Sequence, residues 1–454
     1  MMFSKNYQEK ISTFLDEKRG EMVDTLKSFI SIPSVWESGD EKTPYGTNVA
    51  QILKLSAYTA QDFGLSVSSY ESKINLIDLS EKETKLAILT HLDVVPVNTD
   101  KWETPPFQGI VKENMIYGRG ACDNKGPSIA ALYAMYAVKR LGIPLKYNAR
   151  LFHCGAEEVG MIDVKEYVRK NTMPEYVFTP DAAFPVANQE RGRIATKNRI
   201  GIEFSKIKKI ESGTAANIVP GQATALLQGI DATELERLLK QNHPEVRYEL
   251  SQCKGGVALH VFGASTHAAH PHEGDNALTR LLPILKEIEP CDVINNLCQR
   301  FPHGVFFGEG FSLKNTGTNV TITCMHYGDG MLTLEADCRV NVGVCAAEVA
   351  ECLKEHLCGH VDTNVHEPHF VGEEAPIVQS LQRVYKAVTG RDDPPYMLDA
   401  MTYAHCVENA VVFGGVFEGD GTCNAHGDNE RYNIDTMVMA AKLIANAIIE
   451  ICKE

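Results

Sequence analysis

Polar residues able to bind metals or move protons follow several apolar runs of this 454-residue chain. His91 and Asp93 come directly after one such run, Glu157 and Glu158 follow a second, and Asp181 follows a third. Apolar runs of this length predict buried strands, and ligands of open α/β sheets bind at the carboxyl ends of strands. We therefore expect these side chains to lie at one edge of a sheet.

Two further candidates lie in polar loops: Asp123 precedes a predicted helix, and His426 follows the last predicted strand. Several carboxylates and two His gathered at one sheet edge would be costly as unpaired charges. Divalent metal ions would relieve that cost, and mixed His and carboxylate ligands suit zinc, cobalt or manganese. Two metals about 3.5–4 Å apart, bridged by a carboxylate, would activate a water molecule.

The spacing of two acidic groups adds to this interpretation. Asp93 leaves the extended chain on the same face as His91 and could hold its second imidazole nitrogen. Glu157 and Glu158, as neighbours in irregular chain, point in different directions, so one can bind metal while the other serves as general base and acid. Each feature alone is ordinary, since acidic residues are common at helix N-termini and at strand ends. Their combination favours a catalytic site.

Composition excludes several other classes of protein. The net charge of -15 argues against nucleic acid or an anionic membrane surface as a partner. The 13 cysteines are scattered and suit a reducing compartment better than a disulfide framework. No apolar run is long enough to span a bilayer, and the charged N-terminus lacks the core of a signal peptide. We therefore expect a cytoplasmic protein.

The chain is long enough for two domains. Strands alternate with helices up to residue 184, and helices return near the C-terminus. This predicts an α/β catalytic domain over 1–184 and 387–454, with a mostly parallel sheet covered by helices on both faces. Residues 185–386 read as an inserted α+β lid domain, in which one strand–strand–helix unit could be a diverged duplicate of another.

Three motifs are His91-Leu92-Asp93-Val94-Val95-Pro96, Gly118-Arg119-Gly120 with Asp123, and Glu157-Glu158. Taken together, they resemble the motifs of the dizinc aminoacylase/carnosinase metallopeptidases. The long middle segment and the C-terminal motif are similar to the peptidase V branch of bacterial dipeptidases. The resemblance covers nearly the whole chain and implies two divalent metal ions, with zinc expected and manganese or cobalt as alternatives.

The resemblance implies a role for each ligand. Asp123 would bridge the two metals. Glu158 and His426 would complete one metal site, and His91 and Asp181 would complete the other.

It also implies that Asp93 orients His91, and that Glu157 takes a proton from the water and delivers it to the leaving amine. The family further implies a cis peptide bond after Asp123.

In the insertion, the resemblance implies that His267 stabilises the tetrahedral oxyanion, that Asn217 assists substrate binding, and that Arg339 grips the substrate carboxylate. The residues alone do not choose among His267, His270 and His272, which share one loop. Arg339 by itself would read as a solvated surface arginine.

One segment departs from the peptidase V pattern. Asp399-Ala400-Met401 stands where relatives carry a glycine-rich turn, and His405 stands where they carry arginine. Because glycine lets backbone approach a ligand closely, the departure concerns recognition of the substrate end.

We expect metal-dependent hydrolysis of dipeptides or short peptides by a monomer. The alternatives are an N-acyl-amino-acid amidohydrolase and a non-catalytic relative that retains metal and binds peptides.

Overall fold

The computed structural model describes residues 5–301, 317–422 and 424–453. The chain forms two compact units, Met1–Glu190 with His369–Glu454, and Arg191–Pro368. The expected insertion, 185–386, is thus longer at both ends than the second unit. The physical reason is that Ala187–Glu190 pairs within the sheet of the first unit, and Pro376–Thr389 packs against the C-terminal helix.

The first unit contains a nine-stranded sheet, a three-stranded sheet (Ile110–Lys112, Met115–Tyr117 and Arg431–Asn433) and a two-stranded sheet (Ala182–Ala183 and Gly415–Val416). Short 3-10 helices cover Thr99–Lys101 and Tyr403–Cys406. The helices are α1 (Lys5–Glu17), α2 (Arg19–Ile30), α3 (Thr47–Asp62), α4 (Lys125–Arg140), α5 (Ile162–Lys170), α10 (Pro376–Thr389) and α11 (Ile434–Cys452). The strands are β1 (Ser66–Tyr70), β2 (Ile74–Asp78), β3 (Thr84–His91), β4 (Ile110–Lys112), β5 (Met115–Tyr117), β6 (Asn148–Cys154), β7 (Tyr176–Thr179), β8 (Ala182–Ala183), β9 (Ala187–Glu190), β20 (His369–Phe370), β21 (Tyr396–Leu398), β22 (Ala410–Val412), β23 (Gly415–Val416) and β24 (Arg431–Asn433).

The large sheet has the order β1-β2-β6-β3-β7-β22-β9-β20, with β21 also paired to β9. Strands β6, β3, β7 and β22 are mutually parallel, as expected for the centre of an α/β sheet. The edges differ from the expectation, because β1 and β2 form an antiparallel hairpin and β9 runs antiparallel to β22 and β20. The sheet is therefore parallel at its centre and mixed overall.

Helices cover both faces of this sheet. Alternate residues of β3 enter different cores, since successive side chains of a strand point to opposite faces. Ile88 lies in a core with Leu443 of α11, whereas Leu89 lies in a core with Val164 of α5. Helix α11 is buried on almost every side by this arrangement. Among the residues that the model describes, no helix is both long and apolar enough for a membrane crossing.

The second unit is built on an antiparallel sheet of eight strands. The helices are α6 (Ala232–Asn242), α7 (Ala277–Ile288), α8 (Asp292–Arg300) and α9 (Ala346–His356), with a 3-10 helix at Pro271–Glu273. The strands are β10 (Gly192–Gly201), β11 (Ile207–Ser212), β12 (Ile218–Val219), β13 (Gln222–Leu227), β14 (Arg247–Cys253), β15 (Gly256–Phe262), β16 (Thr266–His267), β17 (Asn319–Gly328), β18 (Met331–Val340) and β19 (His360–His366).

The strand order of the eight-stranded sheet in this unit is β14-β15-β13-β11-β17-β18-β10-β19. The strand–strand–helix segments β11–β13–α6 and β17–β18–α9 meet where β11 pairs with β17. The duplication of such a unit stays a prediction.

Candidate active site

Three parallel strands carry predicted site residues to one edge of the large sheet. β3 ends at His91, β6 leads to Glu157, and β7 leads to Asp181. Because β3 pairs with both β6 and β7 in parallel, their carboxyl ends meet at the same edge. Asp123 reaches this edge from the turn before α4, and His426 from the turn before β24.

The first cluster consists of His91, Asp123 and Asp181. The Nε2 atom of His91 lies 3.0 Å from Oδ1 of Asp123 and 3.8 Å from Oδ1 of Asp181. One potential ligand atom from each residue lies within 4.8 Å of the other two. The His91 side chain is 1% exposed, so this cluster is closed to bulk water on the imidazole side.

The second cluster consists of Asp123, Glu158 and His426. The Nε2 atom of His426 lies 2.9 Å from Oε2 of Glu158 and 3.1 Å from Oδ2 of Asp123. Asp123 therefore belongs to both clusters and turns a different oxygen toward each imidazole. This is the arrangement expected of a carboxylate that bridges two metal ions.

The peptide bond between Asp123 and Asn124 is cis, as the family resemblance predicts. The Asn124 side chain donates to Oδ1 of Asp181 at 2.6 Å and to the Pro180 carbonyl at 3.1 Å. The residue after the shared carboxylate thus holds a second ligand candidate in place.

Asp93 contacts both His91 and the Glu157–Glu158 turn. The Nδ1 atom of His91 lies 3.1 Å from the Asp93 carbonyl oxygen and 3.4 Å from its carboxylate. The carboxylate accepts the backbone N–H groups of Glu157 at 3.2 Å and Glu158 at 3.0 Å. The orienting role predicted for Asp93 stays a prediction, and its carboxylate also fixes the turn that carries both glutamates.

A second buried carboxylate, Asp163, holds the start of the same turn. It accepts the backbone N–H groups of Gly155 and Ala156, both at 2.9 Å. It also accepts the Tyr403 hydroxyl. Four consecutive backbone N–H groups, from residues 155 to 158, are therefore bound by two buried side-chain carboxylates.

Neighbouring carboxylates raise the pKa values of both glutamates in this turn. Burial, together with the charges of Asp181, Glu158 and Asp123, raises the pKa of Glu157 well above its usual range. Burial and the charge of Asp123 raise the pKa of Glu158 to about 7. Perturbed groups of this kind are concentrated at catalytic sites.

The pKa values of the two imidazoles are raised, whereas burial alone would lower the pKa of a His side chain. Hydrogen bonds to Asp123 and Glu158 raise the pKa of His426 to about 11. Burial opposes the charged form of His91, but hydrogen bonds to Asp123, Asp181 and Asp93 raise its pKa well above the usual value. Without a metal, these protons supply the positive charge that the carboxylates require. The donor set, two imidazoles and three carboxylates, fits two divalent ions of the zinc, cobalt or manganese type.

A cavity of about 300 Å³ opens beside both clusters, within the first unit. Its wall includes Glu157 together with Ala400, Met401 and Val416. Ala400 and Met401, from the segment predicted to depart from the family pattern, therefore line the candidate active site with apolar side chains.

The predicted residues of the insertion gather at one end of the second unit. Strands β12 and β16 pair Ile218 with His267, and the Asn217 carbonyl accepts the Ala268 N–H at 2.9 Å. Burial and the nearby charge of Arg339 lower the pKa of His267.

Arg339 is buried, so it is not the solvated surface arginine that its sequence position alone would suggest. Its Nε donates to Oδ1 of Asp337 at 2.6 Å, and Arg193 donates to the other oxygen of that carboxylate at 2.7 Å.

Several residues that shape the site were outside the sequence prediction: Arg119, Asn124, Asp163, Tyr403 and Glu430. Glu430 lies four positions after His426 in a polar run, and Arg119 stands in the Gly-Arg-Gly motif, so both had a local signal. Asp163 had none beyond its acidic place in the first turn of a helix.

Two clusters of His and carboxylate side chains that share Asp123 therefore lie at one sheet edge, and their donor atoms fit two divalent metal ions. Residues 87–450 match the model of peptidase family M20/M25/M40, so the chain belongs to that family. The protein is accordingly a hydrolytic metallopeptidase.

Relatives align along nearly the full length. YtjP of Bacillus subtilis is 27% identical over 463 residues, covering 96% of this chain and 98% of the relative. The Beta-Ala-Xaa dipeptidase of Lactobacillus delbrueckii subsp. lactis is 26% identical, covering 97% of each. The structure of human carnosine dipeptidase 1 shares the fold, with a TM-score of 0.59, 18% identity and coverage of 98% of this chain and all of that one.

Proposed function

We propose that the enzyme hydrolyses dipeptides or short peptides with two divalent metal ions at the clusters around His91 and His426. The proposal rests above all on Asp123, whose two oxygens lie 3.0 and 3.1 Å from the two imidazoles. The Lactobacillus relative, named for its action on Beta-Ala-Xaa dipeptides, supports the substrate class.

In this proposal Asp123 would bridge the two metals, His91 and Asp181 would complete one position, and Glu158 and His426 would complete the other. When bound, such ions polarise the scissile carbonyl and allow water to lose a proton near neutral pH. Zinc is the expected metal, with manganese and cobalt as alternatives.

Glu157 acts as general base and acid. It lines the cavity next to Asp123 and Asp181 but belongs to neither ligand cluster. Its raised pKa suits a group that accepts a proton from the attacking water and then delivers it to the leaving amine. Asp93 and Asp163 hold the turn that positions it.

We assign the second unit the role of a lid. His267 stabilises the oxyanion, Asn217 assists substrate binding, and Arg339 binds the substrate carboxylate. The lowered pKa of His267 favours the neutral imidazole, which can still donate one N–H. The guanidinium of Arg339 can bind a carboxylate through two hydrogen bonds, although Asp337 already accepts one.

An N-acyl-amino-acid amidohydrolase is the second candidate. The observation in its favour is the cavity wall formed by Ala400, Met401 and Val416, which suits an apolar acyl group. Among the described residues that line this cavity, none is Lys or Arg. The third alternative, a relative that binds peptides without cleaving them, disagrees with the family assignment and with the retained Glu157.

One experiment separates the three. Metal-stripped protein is reloaded with Zn²⁺, Mn²⁺ or Co²⁺, its metal content is measured, and it is assayed on dipeptides, their C-terminal amides and N-acyl amino acids. Two metals per chain with preference for free dipeptides supports the proposal. Preference for N-acyl amino acids would support the N-acyl-amino-acid amidohydrolase. Bound metal with no turnover would support a relative that binds peptides without cleaving them.

We further propose a monomer in the cytoplasm. The described cysteines are free thiols, several of them buried, as suits a reducing compartment. Sedimentation velocity and fractionation of cells test these two points.

A further inference from the structure

A buried ion pair connects the two loops that carry Asp123 and His426. The Nη1 atom of Arg119 donates to Oε2 of Glu430 at 2.7 Å, and its Nη2 donates to the Gly427 carbonyl at 3.0 Å. The two side chains are 3% and 0% exposed. Arg119 precedes Asp123 by four positions, and Gly427 directly follows His426.

The Glu430 carboxylate also accepts three backbone N–H groups of the Asp123 loop. They belong to Gly120 at 2.9 Å, Cys122 at 2.9 Å and Asp123 at 3.1 Å. A single buried side chain therefore organises the backbone up to the shared ligand itself. Neither Arg119 nor Glu430 belongs to a cluster with metal-ligand geometry among the described residues.

We propose that the Arg119–Glu430 pair is a positioning device for one of the two metal positions, the one formed by Asp123, Glu158 and His426. The inference rests on the proposed two-metal function. The pair sets two of the three ligands at this position, because it connects both of their loops. At the other position, His91 is set by β3 and Asp93, and Asp181 is set by Asn124. Among the described contacts, the pair reaches that position through the Asp123–Asn124 segment alone, whereas it reaches the first position through the loops of both Asp123 and His426.

The chemistry at Glu430 requires a full carboxylate. Its two oxygens face one guanidinium N–H and three backbone N–H groups, all of them donors. In Glu430→Gln, the amide nitrogen brings its own hydrogens toward donors, whichever way the amide is turned. The loop must then move, and the Asp123 carboxylate moves with it. Groups that orient metal ligands typically change affinity about 10- to 100-fold when replaced.

The test is a titration of metal-stripped, full-length Glu430→Gln with Co²⁺, followed by calorimetry and visible absorption. We expect one equivalent to bind about 10- to 100-fold more weakly than in wild type, with an altered visible spectrum, and the other to change much less. Arg119→Lys keeps the charge but loses the two-pronged geometry, so it should weaken the same equivalent less than Arg119→Met does.

Asp78→Asn is the matched control. Asp78 forms a two-bond ion pair with Arg150 in the same sheet, at 2.9 and 3.0 Å, on strands β2 and β6 and away from the clusters. Both Co²⁺ equivalents should bind this variant as they bind wild type.

Unchanged affinities and spectrum in folded Glu430→Gln would overturn the inference, as would equal weakening of both equivalents. If circular dichroism shows that Glu430→Gln is unfolded, Arg119→Lys and Arg119→Met are titrated instead. Unchanged affinities in both variants, or equal weakening of both equivalents, would then overturn the inference. Failure of the proposed function gives a different result: wild type itself would bind fewer than two Co²⁺, or would bind two and cleave no dipeptide.

Discussion

The hydroxyl oxygen of Tyr403 lies 3.0 Å from one carboxylate oxygen of Asp163 and 3.1 Å from the other, and both residues are buried. Asp163 holds the start of the Glu157–Glu158 turn, and Tyr403 directly follows the cavity-lining residues Met401 and Thr402. The contact thus joins the proposed catalytic turn to the wall of the cavity beside the two clusters.

Tyr403→Phe should destabilise the metal-free protein more at pH 8 than at pH 5. Burial raises the pKa of Asp163 to about 6, above its unfolded value near 3.8. The folded state therefore favours the protonated form, and this contribution to stability is lost as the pH rises through about 6. Above that pH the carboxylate depends on its donors. Losing a hydrogen bond to a charged group costs about 1.5–3 kcal/mol.

Urea unfolding at the two pH values measures this difference. The control is the same substitution in an Asp163→Asn background, where no group titrates at position 163 and the pH difference should vanish. A cost of Tyr403→Phe that is equal at both pH values would contradict the prediction.

Metal affinity should fall steeply as the solution becomes more acidic. Hydrogen bonds to Asp123 and Glu158 raise the pKa of His426 to about 11, and burial raises the pKa of Glu158 to about 7. Both groups must lose their protons to bind metal, so protons compete at every pH below these values. We expect the Kd for Co²⁺ to weaken at least about 10-fold from pH 7.5 to 6.5, because each displaced proton contributes one factor of ten per pH unit.

Calorimetry in buffers of different ionisation enthalpy counts the protons released. His426→Gln should bind more weakly and release about one proton fewer. Binding with no proton release would contradict the prediction, because it would show that His426 and Glu158 are already deprotonated in the metal-free protein.

Glu157→Gln should keep the fold and the metal content but lose turnover by roughly 10²–10⁴-fold, because the amide has similar size and cannot accept the proton. Glu166→Gln is the matched control: Glu166 lies on α5, in an ion-paired cluster with Lys73 and Lys170, and its loss should leave kcat unchanged. Near-normal turnover by metal-loaded Glu157→Gln would remove this residue from the mechanism.

Arg339→Leu should weaken hydrolysis of free dipeptides far more than of the same dipeptides blocked as C-terminal amides. A charge-assisted hydrogen bond of about 1.5–3 kcal/mol corresponds to roughly a 10- to 150-fold loss in kcat/KM. Arg193→Leu is the control, because Arg193 pairs with the same Asp337 carboxylate. If both variants affect free and blocked substrates equally, Arg339 supports the fold through Asp337 and does not bind the substrate.

The ligand candidates could be predicted because their signal is local. His91 and Asp181 follow apolar strands directly, and the parallel order of those strands brings them together. The roles of Glu430 and Asp163 could not be predicted. Each carboxylate is buried and accepts backbone N–H groups from a distant or irregular segment, and the sequence does not show that these groups meet. For the same reason a bare sequence position does not distinguish Asp163 from any other acidic residue in the first turn of a helix.

The edge of the large sheet was missed for a different reason. Strands β9 and β20 are four and two residues long, too short for a periodic pattern of apolar side chains. The alternation of predicted strands and helices ends at residue 184, before the chain has left the large sheet. The expected boundary of the insertion therefore fell six residues early, and the C-terminal boundary fell late because α10 was not recognised as part of the first unit.

The pairing of β9 with β20 brings together the two points at which the chain leaves and re-enters the first unit. Glu190 and His369, the last residue before the second unit and the first after it, are directly opposite each other on antiparallel strands. Opposed residues of such strands lie about 5 Å apart, a gap that a two-residue Asn-Gly turn closes. The insertion occupies the place of a hairpin turn. A single genetic insertion or deletion could therefore add or remove a whole domain here without changing the register of any host strand.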